Sequence, residues 1–341
     1  MNKKRKICII GAGVSGLSSA WALSREPEKF DFSIYEAQDH IGGNGTTVDI
    51  PQRDGSSIPI TPAVMGFIDD HYVMTHLMEE VGYEYDKSEF SFSIQYDDDV
   101  YAHDYDTPFK ARMKPELERF KKLLTFIKQF ERLGFFNPFY LTSTQFILNI
   151  FNFSYDFRYK ILFPMVSNVF VNSKPFSLPI AHLRFTFDFM DIEQSVQINV
   201  FRNGCRAFYG ALTKSFQDRI FLKNKVKKVV RRKDSVSVIN ASGIEEVFDD
   251  VIIACNANHA YELLNAPSFL ERWILSSSDY VSDAGNGIVH YDDSILSPHL
   301  SRRGLDTTIT LTWAQGLEIM RLSSSSTECC HMLENPISLA W

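Results

Sequence analysis

Gly11, Gly13 and Gly16 stand at G-x-G-x-x-G spacing directly after the apolar run Ile7-Cys8-Ile9-Ile10, and Glu36 closes a second apolar run, Phe32-Ser33-Ile34-Tyr35. This combination suits phosphate and ribose binding. Within the turn Gly11-Ala12-Gly13-Val14-Ser15-Gly16, the first glycine lets the chain leave the strand sharply. Gly13 leaves bare backbone for a pyrophosphate, and Gly16 lets the following helix, roughly 15–24, pack close to the sheet. The N-terminus of that helix offers unpaired N–H groups and a partial positive charge to phosphates. Glu36, followed by Ala37, lies twenty residues beyond Gly16, where a carboxylate at the end of the second strand can accept hydrogen bonds from ribose hydroxyls.

Two other readings compete for this segment: a glycine-rich turn with no ligand, and a secretory signal, since Lys3-Lys4-Arg5-Lys6 precedes an apolar stretch. Glycines and serines break that apolar stretch, and a signal would leave Glu36 and its strand unexplained. A βαβ dinucleotide site accounts for all of these residues.

The elements that must carry such a site fit within 341 residues, a length that suits two interleaved domains. A net charge of −7 argues against nucleic acid as the main partner. The cysteines (Cys8, Cys205, Cys255, Cys329, Cys330) are odd in number and scattered, with no C-x-x-C pair, so no zinc or other metal site is expected. Cys8 and Cys255 are expected in buried strands as reduced thiols, in a cytoplasmic setting.

The 28 phenylalanines and 14 tyrosines concentrate between about Phe120 and Phe201. Asn137, Pro138, Thr142, Gln145, Asn149 and Asn152 interrupt the most apolar stretch, so no transmembrane segment is expected. Two readings remain: a packed helical subdomain, and an apolar substrate cavity or peripheral lipid contact.

Along the chain, residues 71–81 read as a helix stopped by Gly82, and 90–96 as a strand turning at Asp97-Asp98-Asp99 into Val100-Tyr101. Pro115 is expected to start the clearest helix, which Gly134 ends. Further helical material broken by Pro138, Pro164, Pro175 and Pro179 follows to about Met190. Strand character then returns at 196–201, followed by a turn at Asn203-Gly204 and a helix over 207–216. Strands are expected at 220–222, 226–230, 236–239 and 248–255. The cluster Lys225, Lys227, Lys228, Arg231, Arg232 and Lys233 reads as a solvated face.

The turn Gly11-x-Gly13-x-x-Gly16, then Tyr35-Glu36, then Ile41-Gly42-Gly43 resembles the flavin-binding signature of the monoamine oxidase, phytoene desaturase and protoporphyrinogen oxidase group. The resemblance implies FAD as cofactor, with Gly42, Gly43 and Asn44 near its diphosphate and the Val226 backbone against the adenine. It also implies that Asp250–Cys255 returns as a strand to the nucleotide-binding sheet. The fold class is then α/β: a Rossmann-like FAD-binding domain (1–105 and 200–260), with a central parallel sheet plus an antiparallel hairpin. A helical, aromatic-rich substrate domain (106–199 and 261–341) interleaves with it.

Further stretches are similar to a narrower group of amine-oxidase-like flavoproteins, some found beside lipid-modifying methyltransferases. They are Gly43-Asn44-x-x-Thr47-Val48, Val64 to Ile68, Phe90 to Ser93, Phe201 to Phe208 and His290-Tyr291-Asp292. Three departures accompany the resemblance. Asn44 stands where the wider group has Arg, and Asn203-Gly204 replaces Gly-Gly. The glycine-rich strand–turn–helix that closes over the flavin in the family has no counterpart after about Leu296.

The resemblance implies an FAD-dependent oxidoreductase that moves hydride from a small or lipidic substrate to flavin N5. A truncated nucleotide-binding remnant or partner subunit, and an NAD(P)-dependent dehydrogenase, are the alternatives. No catalytic side chain is assigned: His40, His71, His76 and His103 read as ordinary surface or capping histidines, and no serine or cysteine has nucleophile spacing.

Overall fold

The apolar run before the glycine turn does form a central strand. The computed structural model describes residues 3–51, 55–64, 66–96, 98–103, 106–170, 174–277, 286–289, 308–314, 317–322 and 337–340. His290-Tyr291-Asp292, Met65 and the segment from Ser323 through Cys330 lie outside the described residues. The chain divides into two compact units, one comprising 1–66, 70–86 and 200–281, the other 67–69, 87–199 and 282–341.

In the first unit, Arg5–Ile10 lies between Asp250–Ile253 and Phe30–Tyr35, with Ile220–Phe221 beyond, all parallel. The return strand therefore rejoins the nucleotide sheet, pairing Cys8 with Val251 and Ile10 with Ile253. A second, antiparallel sheet joins Val226–Arg231, Val236–Asn240 and Glu245–Phe248. Cys8, Ile10 and Tyr35 bury against Val226, Val229, Val238 and Phe248, so one apolar cluster spans both sheets.

Three details of this unit depart from expectation. The single strand expected over 248–255 is two strands in two sheets. Asp249 separates them: its N–H donates to the Lys6 carbonyl at 2.8 Å and its carboxylate accepts the Lys6 N–H at 2.7 Å. Cys255 lies past the second strand and is only part-buried. The helix expected from Ala207 begins at Gly204 and runs to Thr213, because hydroxyls distant in sequence cap it. Cys205 N–H donates to Thr61 Oγ1 and Arg206 N–H to Thr47 Oγ1, each at 2.9 Å. Asn203 takes φ 61° before it, a conformation asparagine tolerates, which accounts for Asn in place of Gly there.

The second unit holds most of a sheet in the order Ile337–Ala340, Asn286–Val289, Leu317–Leu322, Thr308–Ala314, Tyr85–Tyr96, Val196–Phe201 and Gly66–Phe67, with Asp99–Ala102 pairing Tyr85–Tyr96 as a hairpin. Its helical part contains a packed aromatic core: the Phe120 ring meets Phe153, Phe157 and Phe187 at 5.9, 5.4 and 5.7 Å.

Pro115 does not start the long helix. The helix runs Pro108–Lys128, with Thr107 Oγ1 accepting the Lys110 N–H at 2.9 Å and Pro108 at the first turn. Pro115 is on the solvent side, where water can take the carbonyl its missing N–H leaves unpaired. Nor does Pro164 break its helix. A π-helical stretch, Asp156–Leu162, runs directly into Phe163–Phe170, and its wider turn accommodates a residue without an N–H. His103 is buried, not on the surface, between the rings of Phe92 and Tyr101. His40, His71 and His76 are exposed as expected. Among the described residues, no helix is long and apolar enough to cross a membrane.

Candidate dinucleotide site

The first strand ends at Ile10 and the chain turns at Gly11, whose φ of 104° is open to glycine. A Cβ there would lie 2.6 Å from the Ala254 carbonyl oxygen. A Cβ on Gly16 would overlap the Gly11 carbonyl oxygen, so the helix Val14–Ser24 closes on the turn only because that position is bare. Gly13 is different. At φ −75° its backbone is ordinary, and a Cβ would meet nothing nearer than the Gly43 Cα, 3.9 Å away. Gly13 is thus bare for something other than the protein's own packing. It also caps the helix without a side chain, and the first turn carries no acidic residue, so the N–H groups and positive end of the helix are left for an anion.

The second glycine pair meets the first. Gly42 bridges Gly13, its N–H donates to the Ala12 carbonyl at 2.9 Å, and Gly43 takes φ 55°. Gly43 and Asn44 are exposed in the short 3-10 turn Gly43–Gly45. Tyr209 backs this turn: a Cβ on Gly42 would lie 2.9 Å from its ring, and one on Gly45 would strike its hydroxyl. Nothing local in the sequence marked Tyr209. Only the third glycine of Gly42-Gly43-Asn44-Gly45 hinted that something packs there.

Glu36 is buried and turned toward the glycine turn. Its Oε2 accepts the Ala12 N–H at 2.6 Å and its Oε1 the Gln38 N–H at 2.9 Å. Each oxygen keeps a further lone pair for a ribose hydroxyl. The Glu36 carbonyl accepts the Asn224 N–H at 2.8 Å, which brings the chain leading to Val226 to the end of the second strand. Val226 itself is buried, at the edge of the antiparallel sheet. Val14, Ser15 and Ala37 are exposed around the turn, and Ala12 is fully buried beneath it.

Among the described residues, no activated thiol accompanies this turn. Burial pushes the Cys8 thiol up to about 12 and the Cys205 thiol up to about 11, so both stay protonated at neutral pH. Among the described residues, no cluster of His, Cys, Asp and Glu could hold a metal ion.

A sequence profile described as flavin containing amine oxidoreductase matches residues 14–314. The chain belongs to that family. FAD is therefore its cofactor, and the bare backbone between Gly13 and Gly43, with the Glu36 carboxylate on the Ala12 N–H beneath it, fits the ADP half of that molecule. The fold agrees. Putrescine oxidase bound to putrescine superposes with a TM-score of 0.64 at 18% identity, over 80% of this chain and 63% of that one. Cyclohexylamine oxidase from Brevibacterium oxydans IH-35A gives 0.62 at 17% identity, over 80% and 63%. A fatty acid isomerase from P. acnes gives 0.58 at 17%, over 81% and 64%. Coproporphyrinogen III oxidase of Staphylococcus aureus (strain NCTC 8325 / PS 47) is 33% identical over 82 residues, 24% of this chain and 16% of that protein. The chain thus spans under two thirds of the length of these oxidases and of the isomerase.

Proposed function

We propose that this chain is an FAD-dependent oxidoreductase that takes hydride from a small or lipidic substrate. The observation that carries the reading is the meeting of two glycine motifs, Gly13 against Gly42 and Gly43, beside a buried carboxylate that holds the turn from below. The backbone of Gly11, Ala12, Gly13, Val14, Ser15 and Gly16 would line the pyrophosphate. Glu36 and Ala37 would face the ribose, Gly42, Gly43 and Asn44 the diphosphate from the other side, and the Val226 backbone the adenine.

Bound FAD supplies the redox step, accepting a hydride equivalent at its flavin N5. The chain's part is to fix the cofactor. Glu36 holds the Ala12 N–H and so sets the shape of the turn. Tyr209 keeps the Gly42–Gly45 turn pressed against Gly13. Such chemistry needs no side-chain acid or base.

The substrate class rests on the named neighbours, two of which are amine oxidases by name and one a fatty acid isomerase. The free thiols of Cys8, Cys205 and Cys255 suit a reducing, cytoplasmic setting. The test is the visible spectrum of the purified protein and the identity of the cofactor it releases on denaturation. Bound FAD that bleaches anaerobically with an amine or a fatty acid is the expected result. Colourless protein that cannot be reconstituted with FAD overturns the reading.

A further inference from the structure

In the second unit, the end of the long helix Pro108–Lys128, the loop after it and the start of the helix Ile180–Phe189 enclose a cavity of about 190 Å³. Protein interiors pack as densely as organic crystals and rarely leave a void larger than a water. One water takes up about 30 Å³, so this space holds several waters or one small organic molecule.

One donor in the cavity wall is unused by the fold. Asn137 is 2% exposed and caps the short 3-10 helix Pro138–Tyr140, its Oδ1 accepting the Phe139 N–H at 3.0 Å. Its own N–H donates to the Gly134 carbonyl at 3.0 Å, and its carbonyl accepts the Tyr140 N–H at 3.2 Å. Backbone and cap together fix the amide, because a flip would set Nδ2 against the Phe139 N–H. In that orientation Nδ2 has no hydrogen-bond partner among the described residues. Aspartate would cap the turn equally well without leaving a buried donor. An unmet buried donor is costly, so this one calls for an acceptor oxygen from outside the fold.

The rest of the wall decides what carries that oxygen. Glu131 and Arg184 both line the cavity, and the buried Arg184 guanidinium donates to the Glu131 carboxylate. Their charges cancel. A carboxylate guest would bring a second anion beside Glu131, and an ammonium guest would set a donor against Asn137. Glu131 keeps lone pairs beyond the one that Arg184 uses, so it can accept an N–H from the guest. A neutral molecule with an acceptor oxygen and an N–H donor side by side satisfies both residues, which is the pattern of a primary carboxamide. Fully buried Ile127 supplies an apolar wall, and the Tyr140 ring, edge-on to His182 at 6.2 Å, an aromatic one.

We propose that this cavity binds a small neutral aromatic carboxamide. Its carbonyl oxygen accepts from Asn137 Nδ2, its amide N–H donates to Glu131, and its ring lies against Ile127 and Tyr140. The proposal is independent of the flavin, and its readout needs no turnover.

The test is a saturation-transfer NMR titration of the purified chain with benzamide, and with benzoate and benzylamine as charged counterparts of similar size. One-site binding of benzamide with Kd about 1 mM or tighter, at least about tenfold tighter than either counterpart, is the expected result. Failure to saturate by about 20 mM benzamide means that ordered water only meets the Asn137 donor, and it overturns the proposal. A charged counterpart that binds as well as benzamide also overturns it. Ala181 lines the cavity, so Ala181→Leu fills part of it and weakens benzamide binding about tenfold or more, with the thermal unfolding midpoint held or raised. Benzamide that binds Ala181→Leu like wild type sits elsewhere, which overturns the site. Asn137→Asp keeps the cap and removes the donor, and it weakens binding about tenfold. Wild-type affinity in a folded Asn137→Asp protein overturns the role given to Nδ2; Ala181→Leu still decides the site if that variant does not fold.

Discussion

Gly43 stands directly against Gly13: a Cβ on Gly43 would lie 3.2 Å from the Gly13 Cα, although the two residues belong to separate motifs on either side of a strand. The bridge from Gly13 to Gly42 and the N–H of Gly42 on the Ala12 carbonyl lock the two motifs into one surface. Neither motif alone makes a cradle. Their contact explains why a G-G pair downstream of the acidic residue changes what the first turn can hold.

The glycines of the first turn should therefore separate by experiment. Gly13→Val introduces no positive-φ strain, and its Cβ meets only the Gly43 Cα at 3.9 Å. The expected outcome is a protein within about 1 kcal/mol of wild-type stability that retains no FAD. Gly16→Ala places its methyl on the Gly11 carbonyl oxygen and should cost about 3 kcal/mol or more in urea unfolding. Flavin-to-protein ratio and urea midpoint, measured on both variants, check the pair. A Gly13→Val protein with full cofactor content refutes the placement of the pyrophosphate.

Glu36 serves the fold before it meets any ligand. Removing its carboxylate in Glu36→Ala leaves the buried Ala12 N–H without its acceptor, which should cost about 1–3 kcal/mol. The same change should weaken binding of ADP, used as a probe of the ADP half of the site, by about tenfold, a loss of roughly 1.4 kcal/mol. Titration of ADP into the flavin-free variant and wild type by calorimetry reads the second effect separately from the first. Equal ADP affinity in the two proteins would remove the ribose role and leave Glu36 a purely structural brace.

Tyr209 predicts a contrast between two substitutions. Tyr209→Phe keeps the ring that Gly42 and Gly45 pack against and should retain FAD. Tyr209→Ala empties a buried site behind the turn and should lose about 3–5 kcal/mol, with the cofactor released. Thermal unfolding with and without added FAD distinguishes the two, because only a protein that binds FAD is stabilised by it.

The strand–turn–helix at Gly11–Gly16 and the acid at Glu36 were legible in the sequence, because each is written in a local pattern of apolar runs, glycines and spacing, whereas the return of Asp250–Ile253 to the nucleotide sheet, expected as Asp250–Cys255, was implied by the family resemblance. What was not legible depends on partners distant in the chain. The early start of the helix at Gly204 comes from hydroxyls of Thr47 and Thr61, and the split of the 248–255 strand comes from the grip of Asp249 on Lys6. Pro115 misled for a related reason: proline permits a helix start, but the Thr107-Pro108 pair, seven residues upstream, supplies a cap as well. Pro164 misled because a π-helical turn is not marked by any residue pattern.

His103 gives the folding stability a pH dependence. It lies buried between Phe92 and Tyr101, and burial, aided by the charge of Lys110, pulls its pKa down from 6.5 to about 4. Above about pH 6.5 the imidazole is neutral in both folded and unfolded chains, and it adds no pH dependence. As the pH falls below 6.5 the unfolded chain binds a proton that the folded one does not, so folding stability falls until the folded pKa near 4 is reached. Between pH 7 and pH 5 this group should therefore remove about 2 kcal/mol of stability. His103→Gln abolishes the titration whatever it does to absolute stability. The difference in unfolding free energy between the two pH values should shrink in the variant by about that amount. An unchanged difference, read from urea unfolding of both proteins at both pH values, would show that His103 is protonated in the folded chain at pH 5.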